Sequence, residues 1–182
     1  MCTEFYWYLG VFILVQVIYQ PYWKDRSGTH ACLVQANTFC LFLLTWLVRP
    51  VYDNWEFQPL YTILLPVWSD FWFYATHRLL HTRLLFSHVH CLHHKWVQPC
   101  PVDAFFSHPL ENIIHNWLSI GIPLLAWPGF SNMTLAIGGP ALLLSSLSAH
   151  CPGTTHTKHH QTKWANLGAG FYFWDWIADS RL

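Results

Sequence analysis

DFWFYATHRLLHTRLLFSHVHCLHH, residues 70–94, is the stretch on which the reading of this chain turns. It sets His77 and His81 four residues apart and follows them with His90, His93 and His94. Spacings of three and four residues bring side chains onto one face of a helix. Residues 68–85 contain no proline that would interrupt one. A second His-x-x-His-His follows at His156, His159 and His160, although Pro152-Gly153 just before it weakens the helix expectation there. Eight of the 13 histidines thus fall into three clusters. Imidazole is the commonest protein ligand for transition metals. Eight imidazoles exceed the four ligands of a tetrahedral zinc and suit two ions, each with a position left open.

The remaining candidates are weaker. His150 lies six residues before the third cluster and can reach the same metals. His30 and His115 read as packed or solvated side chains. His88 and His108 stand near the clusters, as do the carboxylates Asp70, Glu111 and Asp175. A ligating imidazole gives its second N–H to a carboxylate or carbonyl, so these five are candidate orienting partners. Helix capping explains the carboxylates equally well. No Glu-x-x-His pair occurs, so carboxylate ligands of the soluble di-iron bundle kind are not expected. The six cysteines show no Cys-x-x-Cys pair and read as reduced thiols of an intracellular protein. A zinc site mixing Cys91 or Cys151 with histidine is the rival.

Around these clusters the sequence is greasy. Of its 182 residues 53% are hydrophobic, 18% aromatic and 10% charged, where a soluble domain has about 25% charged. Net charge is zero and no basic block is present, which gives no reason to expect nucleic acid. Apolar stretches run over residues 5–19, 33–48, 61–75, 113–127 and 133–149. Aromatic residues gather at their ends (Tyr6, Trp7, Tyr8; Tyr19, Tyr22, Trp23; Trp46), as at the two faces of a bilayer. The first stretch lacks a basic flank and a small-residue cleavage site, so it is expected to stay as an anchor. The expected fold class is all-α, an integral membrane helical bundle. It forms a single domain over 1–182, with an N-terminal helical hairpin (1–55) and a catalytic region (60–182). A hairpin of the fourth and fifth stretches returns the third cluster to the side of the first two. Arg78, Arg83, Lys95, Lys158, Lys163 and Arg181 flank the clusters, which puts that face in the cytosol by the positive-inside rule.

These residues resemble a known family. The boxes within residues 70–94, the stretch AFFSHPLEN (104–112), and HTKHHQTKWANLGAGFYFWDWIADSRL (156–182) with Asn166, Gly168, Trp174 and Asp175 are similar to the fatty acid hydroxylase superfamily of sterol desaturases, sterol 4-methyl oxidases and cholesterol 25-hydroxylase. The similarity covers about residues 60–182. It implies a multi-pass endoplasmic-reticulum oxygenase acting on a membrane lipid or sterol. It implies two iron ions, molecular oxygen, and electrons from NADPH through cytochrome b5 or its reductase. By carry-over His77, His81, His90, His93, His94, His156, His159 and His160 are metal ligands, and His150 matches an extra histidine before the third box. One departure stands out: the family has some twenty residues before that box, whereas here His150-Cys151-Pro152-Gly153 runs almost directly into His156. Such a deletion would trim the substrate pocket or its lid. Two rival functions follow from the same residues, a zinc-dependent membrane hydrolase and a non-catalytic family member.

Overall fold

Among the described residues, four helical rods, each about 27–33 Å long at 1.5 Å per residue, run alternately toward and away from one histidine-bearing end. The computed structural model describes residues 26–48 and 54–182, with isolated positions before residue 26. The first apolar stretch, and with it the first arm of the hairpin expected over 1–55, lies largely outside the described residues. Helix α1 (Gly28–Leu47) starts at the histidine end, where Ser27 caps it by accepting from the His30 amide. Helix α2 (Pro59–Leu80) starts at the far end with proline in its first turn and finishes on His77, His81 being its C-cap. Short α3 (Arg83–His88) follows, and then a 3₁₀ turn (His90–Lys95). Rod α4 leaves the histidine end as Pro109–Glu111, passes through a π-helical segment Asn112–Trp117, and ends as Leu118–Ala126. Helix α5 (Asn132–Ala149) returns, leading into α6 (Thr155–Thr162) and a final α7 (Phe173–Ile177). No strand occurs among the described residues.

Two apolar clusters hold the rods together. Val34, Val102, Ala104, Phe105, Phe106 and Leu147 pack at the histidine end, and Leu65, Leu124, Phe130 and Leu135 toward the far end. Gly138 lets α2 and α5 approach closely, since a Cβ there would stand 2.5 Å from the Leu65 side chain. Polar ties are buried as well. Asn37 of α1 donates to the carbonyls of Phe105 and Ser107, and Asn112 donates to the carbonyl of Asn37.

Local structure departs from the sequence expectation in two places. A single helix through residue 85 is not formed; Thr82 is extended and restarts the chain as α3. The second cluster sits on a 3₁₀ turn rather than an α-helix. In the third cluster the helix does form: Gly153 takes φ +84°, and the Thr154 hydroxyl accepts from the Thr157 amide as the N-cap. Pro66, Pro123 and Pro140 stand inside helices.

Candidate metal centre

The three clusters meet. His77 and His81 come from the end of α2, His90, His93 and His94 from the 3₁₀ turn, His150 from the end of α5, and His156, His159 and His160 from α6. They form two groups, His77–His81–His90–His94–His159 and His93–His150–His156–His160, and within each the candidate ligand nitrogens lie within 4.8 Å of one another. The turn His90–Lys95 serves both groups, and between them His90 and His93 stack with centroids 5.4 Å apart. His90 and His94 face the first group while His93 faces the second.

Backbone carbonyls fix the rings. A carbonyl can only accept, so each ring nitrogen facing one must carry the proton. Nδ1 of His77 donates to the Leu167 carbonyl, Nδ1 of His159 to Ala165 at 2.8 Å, Nδ1 of His150 to Ser146 at 2.8 Å, and Nδ1 of His160 to Trp96 at 3.1 Å. Those four rings, when neutral, turn a bare Nε2 inward. Several Nε2 atoms face one another closely: His81 lies 3.3 Å from His77, 3.1 Å from His90 and 3.2 Å from His94. One proton on His81 can satisfy one of those three neighbours. His94–His159 at 3.2 Å and His93–His150 at 3.3 Å repeat the pattern. Both nitrogens of His156 and Nε2 of His160 are buried without a protein partner. Burial, reinforced by neighbouring imidazoles, holds His90, His93, His94 and His156 well below the ordinary imidazole range. It brings His159 to about 4 and His160 to about 3. Neutral lone pairs converging in a dry site repel unless a cation lies among them, and this donor set fits a pair of transition-metal ions.

The five candidate orienting partners separate. Glu111 is buried, its carboxyl 3.0 Å from His90 Nδ1. Asp175 acts at one remove: it accepts from the amides of Leu167 and Gly168, and Leu167 offers its carbonyl to His77. Asp70 holds the Phe171 amide and touches no ligand ring. His88 is exposed, its ring nitrogen on the Leu84 carbonyl, and His108 caps α4 through the Leu110 amide, so neither orients a clustered ring. Cys91 and Cys151 turn their thiols to the carbonyls of Ser87 and Leu147, away from both groups, which removes the mixed zinc site. His30 is buried against Asp103 at 2.7 Å. His115 is buried on Thr76, and nothing in its spacing marks it.

A cavity of about 680 Å³ adjoins the centre. It follows α5 from Leu135 to Ala149, with α1, α2 and α4 around it. Its lining is mainly apolar, including Leu41, Phe42, Ile120 and Leu142. The short link between His150 and His156 leaves this cavity in place, with Thr154 in its wall. Phe73 and His115 close the metal end: the Phe73 ring lies 5.3 Å from His77, 5.9 Å from His156 and 4.0 Å from His115.

A helical bundle carrying two convergent histidine groups beside an apolar cavity is the architecture of a histidine-rich protein able to hold metal. Residues 62–180 match the family model described as fatty acid hydroxylase, and the chain belongs to that family. It is 29% identical over 128 residues to methylsterol monooxygenase 2-2 of Arabidopsis thaliana, covering 60% of this chain and 47% of the relative. It is 28% identical over 130 residues to very-long-chain aldehyde decarbonylase GL1-8 of Oryza sativa subsp. indica, covering 61% and 48%. With methylsterol monooxygenase 1 of Rattus norvegicus it shares 30% identity over 182 residues, covering 87% and 62%. The chain spans about half the length of the first two of these relatives. No solved structure matches it.

Proposed function

We propose that the chain is a membrane-embedded di-iron oxygenase that oxidises a C–H bond of a lipid or sterol. His77, His81, His90, His94 and His159 would hold one iron, and His93, His150, His156 and His160 the other. The observation that carries this is the inward convergence of bare, buried Nε2 atoms, fixed from behind by four backbone carbonyls. Iron, when bound, supplies the redox chemistry with oxygen that an unactivated C–H bond requires and that zinc lacks.

The protein's own groups do the rest. The carbonyls of Leu167, Ala165, Ser146 and Trp96 hold the protons at Nδ1 and keep the ligand atoms aimed. Burial keeps bulk water from the rings, of which His156, His159 and His160 are 0% exposed. The cavity binds the apolar body of the lipid, and Phe73 stands where that body meets the metal end.

Membrane placement draws on exposure. Helices α1 and α5 are long and apolar enough to cross a bilayer. On α2 the outward residues are Leu60, Ile63, Leu64, Val67 and Phe71, while Ser69, Thr76 and His77 face inward. The outward face of α2 is thus mainly apolar, where that of a soluble bundle is polar. The histidine end faces the cytosolic side of the endoplasmic-reticulum membrane in this reading, within reach of an NADPH-fed donor such as cytochrome b5 or its reductase.

Metal analysis of detergent-purified protein, combined with oxygen uptake after adding reductant and lipid, tests the proposal. Two irons per chain and lipid-dependent uptake are expected. Zinc with activity that needs neither oxygen nor reductant would make the protein a hydrolase. Bound metal with no turnover of any lipid would leave an accessory role.

A further inference from the structure

Residues 166–180 leave the histidine end and come back to it. The loop closes on itself: the Asn166 amide donates to the Ser180 carbonyl at 2.6 Å, and the Leu182 amide donates to the Asn166 side chain at 3.1 Å. Helix α2 marks its course. Leu167 meets His77, Phe171 meets Asp70, Trp174 meets Phe71 with ring centroids 5.0 Å apart, and Ser180 meets Tyr74 at 3.1 Å. From His77 to Asp70 the loop thus descends about 10 Å along α2, away from the histidine end, before it turns back.

The outward stripe of α2 runs through Leu60, Ile63, Leu64, Val67 and Phe71. Tyr74 would continue it three residues on, yet Tyr74 is buried because the loop lies over it. The outer surface of the loop takes its place, with Phe171, Phe173, Trp176 and Ile177 each more than half exposed. Asp175 is the one charged residue between Leu167 and Ala178, and it is turned inward and fully buried. Its carboxylate accepts from the amides of Leu167 and Gly168, and that of Asp70 accepts from Phe171. Irregular backbone at membrane depth needs acceptors from within the protein, because acyl chains offer none. Gly170 permits the approach to α2, since a Cβ there would stand 2.5 Å from Oδ1 of Asp70. Residues 169–172 wall the cavity on the loop's inner side.

We propose that residues 167–179 are a re-entrant segment: they dip into the cytosolic leaflet beside α2 and set Phe171, Phe173, Trp176 and Ile177 against lipid acyl chains. This rests on α2 spanning the membrane, as in the proposed function. The occupant of the aromatic face is the bilayer itself. That face joins the α2 stripe through the contact of Phe71 with Trp174, so what covers the stripe covers the loop, and on a spanning rod that is lipid. Exposed charge returns only at the rim, at Asp179 and Arg181, where the chain regains the interface.

Photocross-linking of the full chain, metal-loaded, in palmitoyl-oleoyl phosphatidylcholine vesicles tests this. A benzophenone-bearing phenylalanine replaces Phe173 in one variant, Ile177 in a second, Val67 of the α2 stripe in a third and Lys158 of α6 in a fourth. All four positions are exposed, so metal content and thermal unfolding should match wild type. Phosphatidylcholine adducts at 173 and 177 should come within about twofold of the yield at 67, exceed that at 158 about tenfold, and sit on acyl carbons rather than on the headgroup. Adducts at 67 without adducts at 173 and 177 overturn the re-entrant segment and leave the spanning rods in place. Absence of adducts at 67 removes the membrane reading itself, and the segment falls with it. A cross-linked dimer at 173 in place of the lipid adduct would put a second copy on this face and overturns the assignment as well. If the variants at 173 and 177 do not fold, the same label at Phe171 decides by the same comparison.

Discussion

Asp175 accepts hydrogen bonds from the amides of Leu167 and Gly168 and from the Ser180 hydroxyl, and Leu167 passes its carbonyl to His77 Nδ1. Gly168 is glycine because a Cβ would meet the Asp175 carboxylate at 2.7 Å. Asp175→Ala leaves two buried amides without acceptors, at a cost of about 1–3 kcal/mol each. Thermal unfolding in detergent should show the loss, and metal bound by the His77 group should fall with it. His93→Ala removes a donor from the four-histidine group alone, so metal analysis should find about half the wild-type metal. Acid should act on both groups. His159 and His160 sit at about 4 and about 3 in the fold but near 6.5 when unfolded, so the unfolded chain takes up protons first as pH falls. Stability from these two rings is full above about 6.5 and declines below it toward about 4, by at most about 1.4 kcal/mol per pH unit for each ring. Metal-free protein followed by thermal unfolding between pH 7 and pH 4 should lose stability in that window; a flat profile would contradict the burial of these rings. At this scale the eight histidines of the three clusters were legible as a set because their spacing is dense and repeated, while His150 is marked only by its position before the third cluster. His115, a lone histidine in an apolar run, reads as packed or solvated, and it is packed, buried on Thr76 of α2.

Elements were legible where one force dominates. Long apolar runs located α1, α2, α4 and α5, because burial acts over the whole length of such a run. The 3₁₀ turn at His90–Lys95 was not legible, since tertiary pairing with α2 and α6 overrides the helical spacing of its histidines. What seats that turn is the segment behind it. Asp103 accepts from Arg26 at 2.6 Å and from His30 at 2.7 Å, and Arg26 lies 4.0 Å over the Trp96 ring. Trp96 in turn holds His160. Burial alone would raise the Asp103 carboxyl, but the hydrogen bonds from His30 and Arg26 outweigh it and hold the group at about 2. Asp103→Ala breaks a buried pair on both sides and should cost about 3 kcal/mol. Thermal unfolding should place this variant well below wild type, and a change within 0.5 kcal/mol would show the triad to be ornamental.

At the scale of the whole molecule, four rods alternate in direction, and every element that carries a clustered histidine ends at one face. The sequence forecast that return from a hairpin of two apolar stretches. The geometry adds which residues sit outside the bundle at that face. Cys91 is exposed on the 3₁₀ turn between His90 and Leu92, and the helix ends 47, 59 and 126 lie at the opposite face. If the rods span a bilayer with the basic residues in the cytosol, Cys91 must face the cytosol too. A variant retaining Cys91 as its sole cysteine, carried in sealed endoplasmic-reticulum vesicles with the cytosolic side out, should react with a membrane-impermeant maleimide before the vesicles are opened. A variant whose only cysteine is placed at Glu56, in the loop at the other face, should react only after detergent is added. Equal labelling of both before opening would mean that the rods do not separate two compartments, and the reading of the apolar outer surface of α2 as a lipid contact would go with it.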